Sequence, residues 1–191
     1  AQNKAWQDEG LPPTRVAVNI SGRQFRQKNL VEFVGKVLEE TGLKAEYLEL
    51  EITESIAMER ADETVTKLHA LKAMGIRISM DDFGTGHSSL SYLKLFPIDT
   101  LKIDKSFVQD LASDSVDNTI ATAIAAMAHG LKLKVITEGV ETGEQLAFLK
   151  GMHRDEVQGF YFSQPLPPER FAALLRDGLP LGEALPDTPK K

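Results

Sequence analysis

The chain has 191 residues and a formal net charge of -6, with 42% hydrophobic and 26% charged residues. That is the balance of a globular protein long enough to bury one substantial core, and its acidity argues against a DNA or RNA polymer as partner, which needs a basic footprint. The absence of cysteine excludes disulfides, thiolate metal sites and a cysteine nucleophile.

The opening AQNKAWQDEGLPP reads as a helix end and a turn, with Gly10, Pro12 and Pro13 stopping it before a first strand, VAVNIS. Over residues 30–40, Leu30, Phe33, Val34, Val37 and Leu38 share one helical face, and Gly42 stands at the C-cap. LELEI is the next strand. A helix follows over residues 62–74, with Val65, Leu68, Leu71 and Lys72 at helical spacing and Gly75 closing it. IRISM is a strand, FGTGHSSL a glycine-containing loop, and residues 88–95 a short helix. TLKI is a strand, and residues 116–129 form an alanine-rich helix ended by Gly130. LKVIT is a strand, residues 143–150 a helix, and EVQGFYF one or two short strands. Residues 168–175 form a closing helix with proline in its first turn. The expected division is one domain over residues 1–178 and a frayed tail, rich in Pro and Lys, over residues 179–191. No apolar run approaches the ~20 residues that span a bilayer, and no signal peptide is visible. The expected location is cytoplasmic, with no membrane contact by this domain, although a parent protein could be anchored through other parts.

Strand and helix alternate without a break, which implies parallel βαβ units. An open doubly wound sheet and a (β/α)8 barrel both fit, and side-chain parity favours the barrel. In LELEI, Leu48, Leu50 and Ile52 oppose Glu49 and Glu51; in IRISMD, Ile76, Ile78 and Met80 oppose Arg77, Ser79 and Asp81. A parallel barrel turns its apolar face to the helices and gathers functional residues at its C-terminal mouth. Six or seven strands can be counted, and a typical barrel takes ~250 residues. The expected fold is therefore α/β, a (β/α)8 TIM-like barrel incomplete at the N-terminus, its missing strand and helix preceding Ala1.

Five strands end in polar residues of matching parity: Asn19 and Ser21, Glu49 and Glu51, Asp81 followed by Asp82, Lys102 and Asp104, and Glu138. Glu51, Asp81, Asp82, Asp104 and Glu138, with Asn19 and Gln158, offer hard oxygen donors that suit Mg2+ or Mn2+ rather than zinc. The carboxylates suffice for two ions, a common solution for phosphodiester hydrolysis, and Lys102 could orient water or neutralise phosphoryl charge. Blander readings stand beside these. Glu49 reads equally as a solvated or salt-bridged strand residue, Asp81–Asp82 as a cap, and Lys102 as an interior ion pair with Asp104. Glu54 with Ser55 could simply start a loop. His69, His87, His129 and His153 lack metal-ligand spacing. Enolase-like proton abstraction, with Lys as base and carboxylates on Mg2+, uses much the same parts and stays open.

Six segments carry a closer likeness: VNIS (18–21), ELEITES (49–55), DDFGTGHSSL (81–90), LKIDKSF (101–107), EGVET (138–142) and QGFYFSQPLP (158–167). In this order, over nearly the whole chain, they resemble the EAL domain of bacterial cyclic di-GMP phosphodiesterases. The resemblance implies metal-dependent hydrolysis of cyclic di-GMP to linear pGpG, lowering a second messenger in signal transduction. It places Asn19, Glu51, Asp81, Asp82 and Glu138 on metal and Lys102 on the catalytic water. Asp104 falls beside that centre, Glu138 also serves as general base, Gln158 lies close to the site, and Glu54 holds the loop after Asp82. It further implies a homodimer through that loop and fusion to upstream sensory or cyclase-like domains. The Glu-Ala-Leu segment that names the family is absent from the chain, as is its metal-binding glutamate. His87 replaces a usual aromatic, and His153-Arg154 a common Gly-Cys pair. A non-catalytic cyclic di-GMP receptor is the alternative.

Overall fold

A computed structural model of the chain describes residues 1–84, 90–109, 116–150 and 155–178. The tail over residues 179–191, most of the loop after Gly84 with its His87, and the pair His153-Arg154 lie outside the described residues.

The elements follow in chain order as α1 (Gln2–Asp8), β1 (Val16–Asn19), α2 (Gly22–Phe25), α3 (Leu30–Thr41), a 3-10 turn (Ala45–Tyr47) and β2 (Leu48–Thr53). Next come α4 (Glu54–Glu59), α5 (Ala61–Ala73), β3 (Arg77–Phe83), α6 (Leu90–Leu93), β4 (Thr100–Ile103) and α7 (Ser106–Gln109). The last are α8 (Val116–Gly130), β5 (Lys134–Thr137), α9 (Gly143–Lys150), β6 (Glu156–Val157) and α10 (Pro168–Asp177). All five strand pairings are parallel, and the sheet order β1-β2-β3-β4-β5-β6 repeats the chain order. The sheet curls into an incomplete TIM-like barrel, as expected from the alternation. Among the described residues no helix is long and apolar enough to cross a membrane.

The parity expectation holds. Leu50 and Ile52 on β2, Ile78 and Met80 on β3, Leu101 and Ile103 on β4, and Val135 on β5 are buried in one cluster with helix residues. Leu68 and Leu71 of α5 and Ala121, Ile124, Ala125 and Ala128 of α8 cover that face. The alanines of α8 keep the helix close to the sheet, because small side chains shorten the distance between packed elements. Register pairs Glu49 with Arg77 and Glu51 with Ser79, so these residues share the opposite, inner face.

Three short helices escape the periodicity reading because caps, not apolar stripes, define them. Ser21 is not a strand tip but the N-cap of α2, in a capping box with Gln24. The Thr53 hydroxyl caps α4 by accepting from Ile56 N–H at 3.4 Å. α7 begins beside Asp104, whose carboxylate accepts from Ser106 N–H at 2.9 Å. EVQGFYF contributes only Glu156–Val157 to the sheet. Beyond it the chain folds around Val140, whose N–H donates to Gln158 O at 3.1 Å and whose carbonyl accepts from Tyr161 N–H at 2.9 Å.

Carboxylates also secure the lower, N-terminal end of the barrel. Asp99 accepts from Ile78 N–H at 2.9 Å and takes the Lys72 ammonium on both oxygens, at 2.7 and 2.8 Å. Asp155 accepts from Val135 N–H at 2.7 Å and bonds His129 Nε2 at 3.1 Å. The Val135 hydrogen bond holds the Asp155 carboxyl below its ordinary range; burial opposes it, and His129 and then Lys134 add to the lowering. A depressed folded-state pKa stabilises above the unfolded value and loses that contribution as pH falls through the folded one. Replacing Asp99 by Ala is expected to cost about 2 kcal/mol, and Asp155→Ala, at a more exposed site, about 1 kcal/mol. In urea denaturation the Asp155→Ala deficit should be full at neutral pH and vanish in acid below the ordinary carboxylate range.

Candidate functional site

The upper, C-terminal ends of β2 to β5 bring four of the predicted residues into direct contact. Lys102 Nζ lies 2.8 Å from Glu51 Oε1, 3.5 Å from Asp81 Oδ1 and 2.5 Å from Glu138 Oε1. Only 4% of the lysine side chain is exposed, so its charge depends on these partners rather than on water. Burial alone would lower the Lys102 pKa, but hydrogen bonds to Glu138 and Glu51 and the charges of Glu138 and Asp81 outweigh it and raise it. The lysine is therefore a fixed cation. Glu138 is raised above the ordinary carboxylate range: burial leads, Asp81 and Glu51 add to it, and Lys102 opposes it. The two partners thus rise for different reasons: Lys102 because carboxylates surround it, and Glu138 first because it is buried, with the neighbouring carboxylates adding to that.

A backbone irregularity aims the adjacent pair Asp81-Asp82. Successive strand residues point to opposite faces, so two neighbouring carboxylates do not share a site on a regular strand. The β3–β4 register shifts between Met80 and Phe83, and Asp82 takes a left-handed φ of 54°. A bulge of this kind re-aims side chains, and the left-handed geometry costs about 1–2 kcal/mol for a residue with a Cβ. Asp82 N–H donates to Asp81 Oδ1 at 3.0 Å. Burial first, then the charges of Asp81 and Asp104, raise the Asp82 pKa, with Lys102 opposing and a side-chain hydrogen bond to Asp104 adding to it. Asp104 moves the other way: burial raises it, but hydrogen bonds from Ser106 and Lys105 prevail and hold it low. The interior pair Lys102–Asp104 is thus not formed; Lys102 is taken by Glu51, Asp81 and Glu138, while Asp104 caps α7.

Glu54, the first residue of α4, is buried and accepts from Gly84 N–H at 3.0 Å, tying α4 to the start of the loop after Asp82. Glu49 is buried one level down, with Arg15 Nη1 3.5 Å away. Asn19 pairs in register with Glu51, and its side chain is exposed at the open edge of the sheet. Gln158 is exposed beyond β6, held by its N–H on Thr137 O at 2.9 Å. Sequence reasoning passed over Ser79 as a polar site residue. It is fully buried at the level of Glu51, and its Oγ has no hydrogen-bond partner among the described residues. Its only signal was the inner-face parity it shares with Asp81.

The donor set is all oxygen and carries more negative than positive charge, which fits a hard divalent cation. In the present arrangement the ammonium holds the centre, and among the described residues no three acidic or histidine side chains converge as a ready-made cage. Fold and site together define a parallel TIM-like barrel with an acidic, lysine-centred mouth. The chain belongs to the EAL domain family, whose model matches residues 1–165. It is similar to the cyclic di-GMP phosphodiesterase NbdA of Pseudomonas aeruginosa, at 48% identity over 162 residues, covering 85% of this chain and 21% of NbdA. It is also similar to the bifunctional diguanylate cyclase/cyclic di-GMP phosphodiesterase MucR of the same organism, at 45% identity over 90% of this chain and 25% of MucR. The solved PaMucR phosphodiesterase–c-di-GMP complex superposes with a TM-score of 0.86 at 45% identity, covering 89% of this chain and 69% of that one. The manganese/cyclic-di-GMP complex of Klebsiella pneumoniae BlrP1 gives a TM-score of 0.75 at 29% identity, covering 86% and 42%. The chain spans about a fifth to a quarter of the length of the curated relatives named here.

Removing Lys102 leaves three close carboxylates without their counter-charge. Lys102→Met is expected to destabilise the fold by about 3 kcal/mol in chelator-treated buffer, read as a lower urea midpoint with an unchanged slope.

Proposed function

We propose that this chain is the catalytic part of a metal-dependent phosphodiesterase that hydrolyses cyclic di-GMP to linear pGpG, with residues 1–178 as its domain and residues 179–191 as a tail. The observation that carries the reading is the buried Lys102 ammonium held by Glu51, Asp81 and Glu138, with Asp82 and Asp104 alongside. The names of NbdA and MucR and the manganese in the BlrP1 complex support the substrate and the metal class.

Asn19, Glu51, Asp81, Asp82 and Glu138 would hold Mg2+ or Mn2+, in all two ions. When bound, such ions lower the pKa of water and neutralise phosphoryl charge. The chain's own groups then divide the work. Lys102, a permanent cation, orients the attacking water and offsets charge on the phosphoryl oxygens. Glu138, whose pKa burial raises, accepts the water proton as general base. The new P–O bond forms as the bond to the 3′ oxygen breaks, and that oxygen leaves as a hydroxyl after taking up a proton. Asp104 supports the Asp82 side of the centre, Gln158 borders the substrate, and Glu54 steadies the loop after Asp82 through Gly84 N–H. The domain would act in the cytoplasm as a homodimer through that loop, joined to sensory or cyclase-like domains.

The alternative is a cyclic di-GMP receptor without turnover. Incubating purified protein with cyclic di-GMP and Mn2+ or Mg2+ and resolving products by chromatography separates the two. The expected outcome is pGpG, abolished by EDTA and reduced at least ~100-fold by Glu138→Ala or Lys102→Ala. Tight nucleotide binding without product would instead establish the receptor. Full activity in both variants would remove the assigned roles.

A further inference from the structure

Glu138 and Gln158, the residues that directly follow β5 and β6 on the inner-face parity, are each followed by a glycine, Gly139 and Gly159. Both sit where a side chain does not fit. A Cβ on Gly139 would overlap the Cβ of Lys105 and lie 3.2 Å from its Cα, and the residue has a left-handed φ of 75°. A Cβ on Gly159 would overlap the carbonyl oxygen and the nitrogen of Val140 and lie 2.6 Å from its carbonyl carbon. The obstacle at Gly159 is backbone, which has no rotamer to escape into.

These contacts lock three strand exits together. Glu138 N–H makes the last rung to β4, donating to Ile103 O at 3.2 Å. One residue later Gly139 presses on Lys105, the residue that follows Asp104. One residue later again, the turn from Gln158 to Tyr161 closes on both sides of Val140, with Gly159 face-on against it. Val140 itself is fully buried with Val108 and Leu149, so the clasp has a firm backing. Glu138 is thereby gripped from both ends, and its carboxylate sits 2.5 Å from Lys102 Nζ.

We propose that Gly139 and Gly159 are positioning residues for Glu138: by admitting the neighbouring exits at backbone contact, they hold its carboxylate on Lys102 and on the ions of the proposed reaction. The inference rests on the phosphodiesterase reading. A displacement of about 1 Å at a reacting group lowers a rate on the order of 100-fold.

The test compares Gly139→Ala and Gly159→Ala with Gly143→Ala, whose added Cβ meets only the Tyr161 ring at an ordinary 3.7 Å. Binding of Mn2+ alone is followed by electron paramagnetic resonance of the free ion, turnover by product formation, and folding by thermal melts. Both site variants are expected to bind Mn2+ at least ~10-fold more weakly and to lose at least ~10-fold in kcat with KM little changed, while Gly143→Ala matches the unaltered protein. Adding Lys105→Gly to Gly139→Ala removes the atom that the new methyl strikes, and should recover a large part of the lost Mn2+ affinity relative to Lys105→Gly alone, the strain of the left-handed φ remaining. Should Gly159→Ala fail to fold, the Gly139–Lys105 pair of variants decides. Folded variants with unaltered Mn2+ affinity and kcat, or a Gly139→Ala loss that Lys105→Gly does not relieve, overturn the inference and leave the phosphodiesterase standing. Neither Mn2+ binding nor turnover in the unaltered protein overturns both together.

Discussion

One buried ammonium organises the upper end of this barrel. Lys102 is almost wholly removed from water, and three carboxylates from three other strands meet it. Each of those strands must therefore reach the same height, which ties the register of β2, β3 and β5 to that of β4. The compensation is deliberately incomplete in charge: three anions face one cation, and Asp82 and Asp104 stand beside them. A fold that sought only stability would bury apolar residues here, since a buried ion pair seldom outperforms them. The surplus of negative charge makes sense as affinity for a further cation.

Much of this was legible in the sequence because barrel strands alternate faces with a period of two. Leu50 and Ile52 against Glu49 and Glu51, and Ile78 and Met80 against Ser79 and Asp81, sort at once into helix-facing and inner sets. The same alternation brought Glu51, Asp81, Lys102 and Glu138 into one candidate site before any geometry was known. Side-chain pairing was not legible in that way. Parity puts Lys102 and Asp104 on one face, but neighbours across strands win over neighbours along a strand, and Asp104 turns to the backbone of α7 instead.

The shorter elements were hidden for a different reason. A four-residue helix shows no periodicity, so α2 and α7 are announced only by their caps, Ser21 with Gln24 and Asp104 with Ser106. The bulge at Asp81-Asp82 was equally invisible, although it is what allows two consecutive carboxylates to serve one end of the barrel. Ser79 looked like an ordinary strand serine, and its orphaned hydroxyl emerges only from burial.

The two ends of the sheet use the same side chain in opposite ways. Below, Asp99 and Asp155 spend their oxygens on the N–H groups of Ile78 and Val135. Above, Glu51, Asp81 and Glu138 crowd a single ammonium and remain in excess. The two groups share no partner, and substitutions at such separate sites combine nearly additively. How long the folded chain survives can therefore drift through changes at the lower aspartates without touching its chemistry, whereas a change that strips Lys102 of its partners is felt in chemistry and durability together.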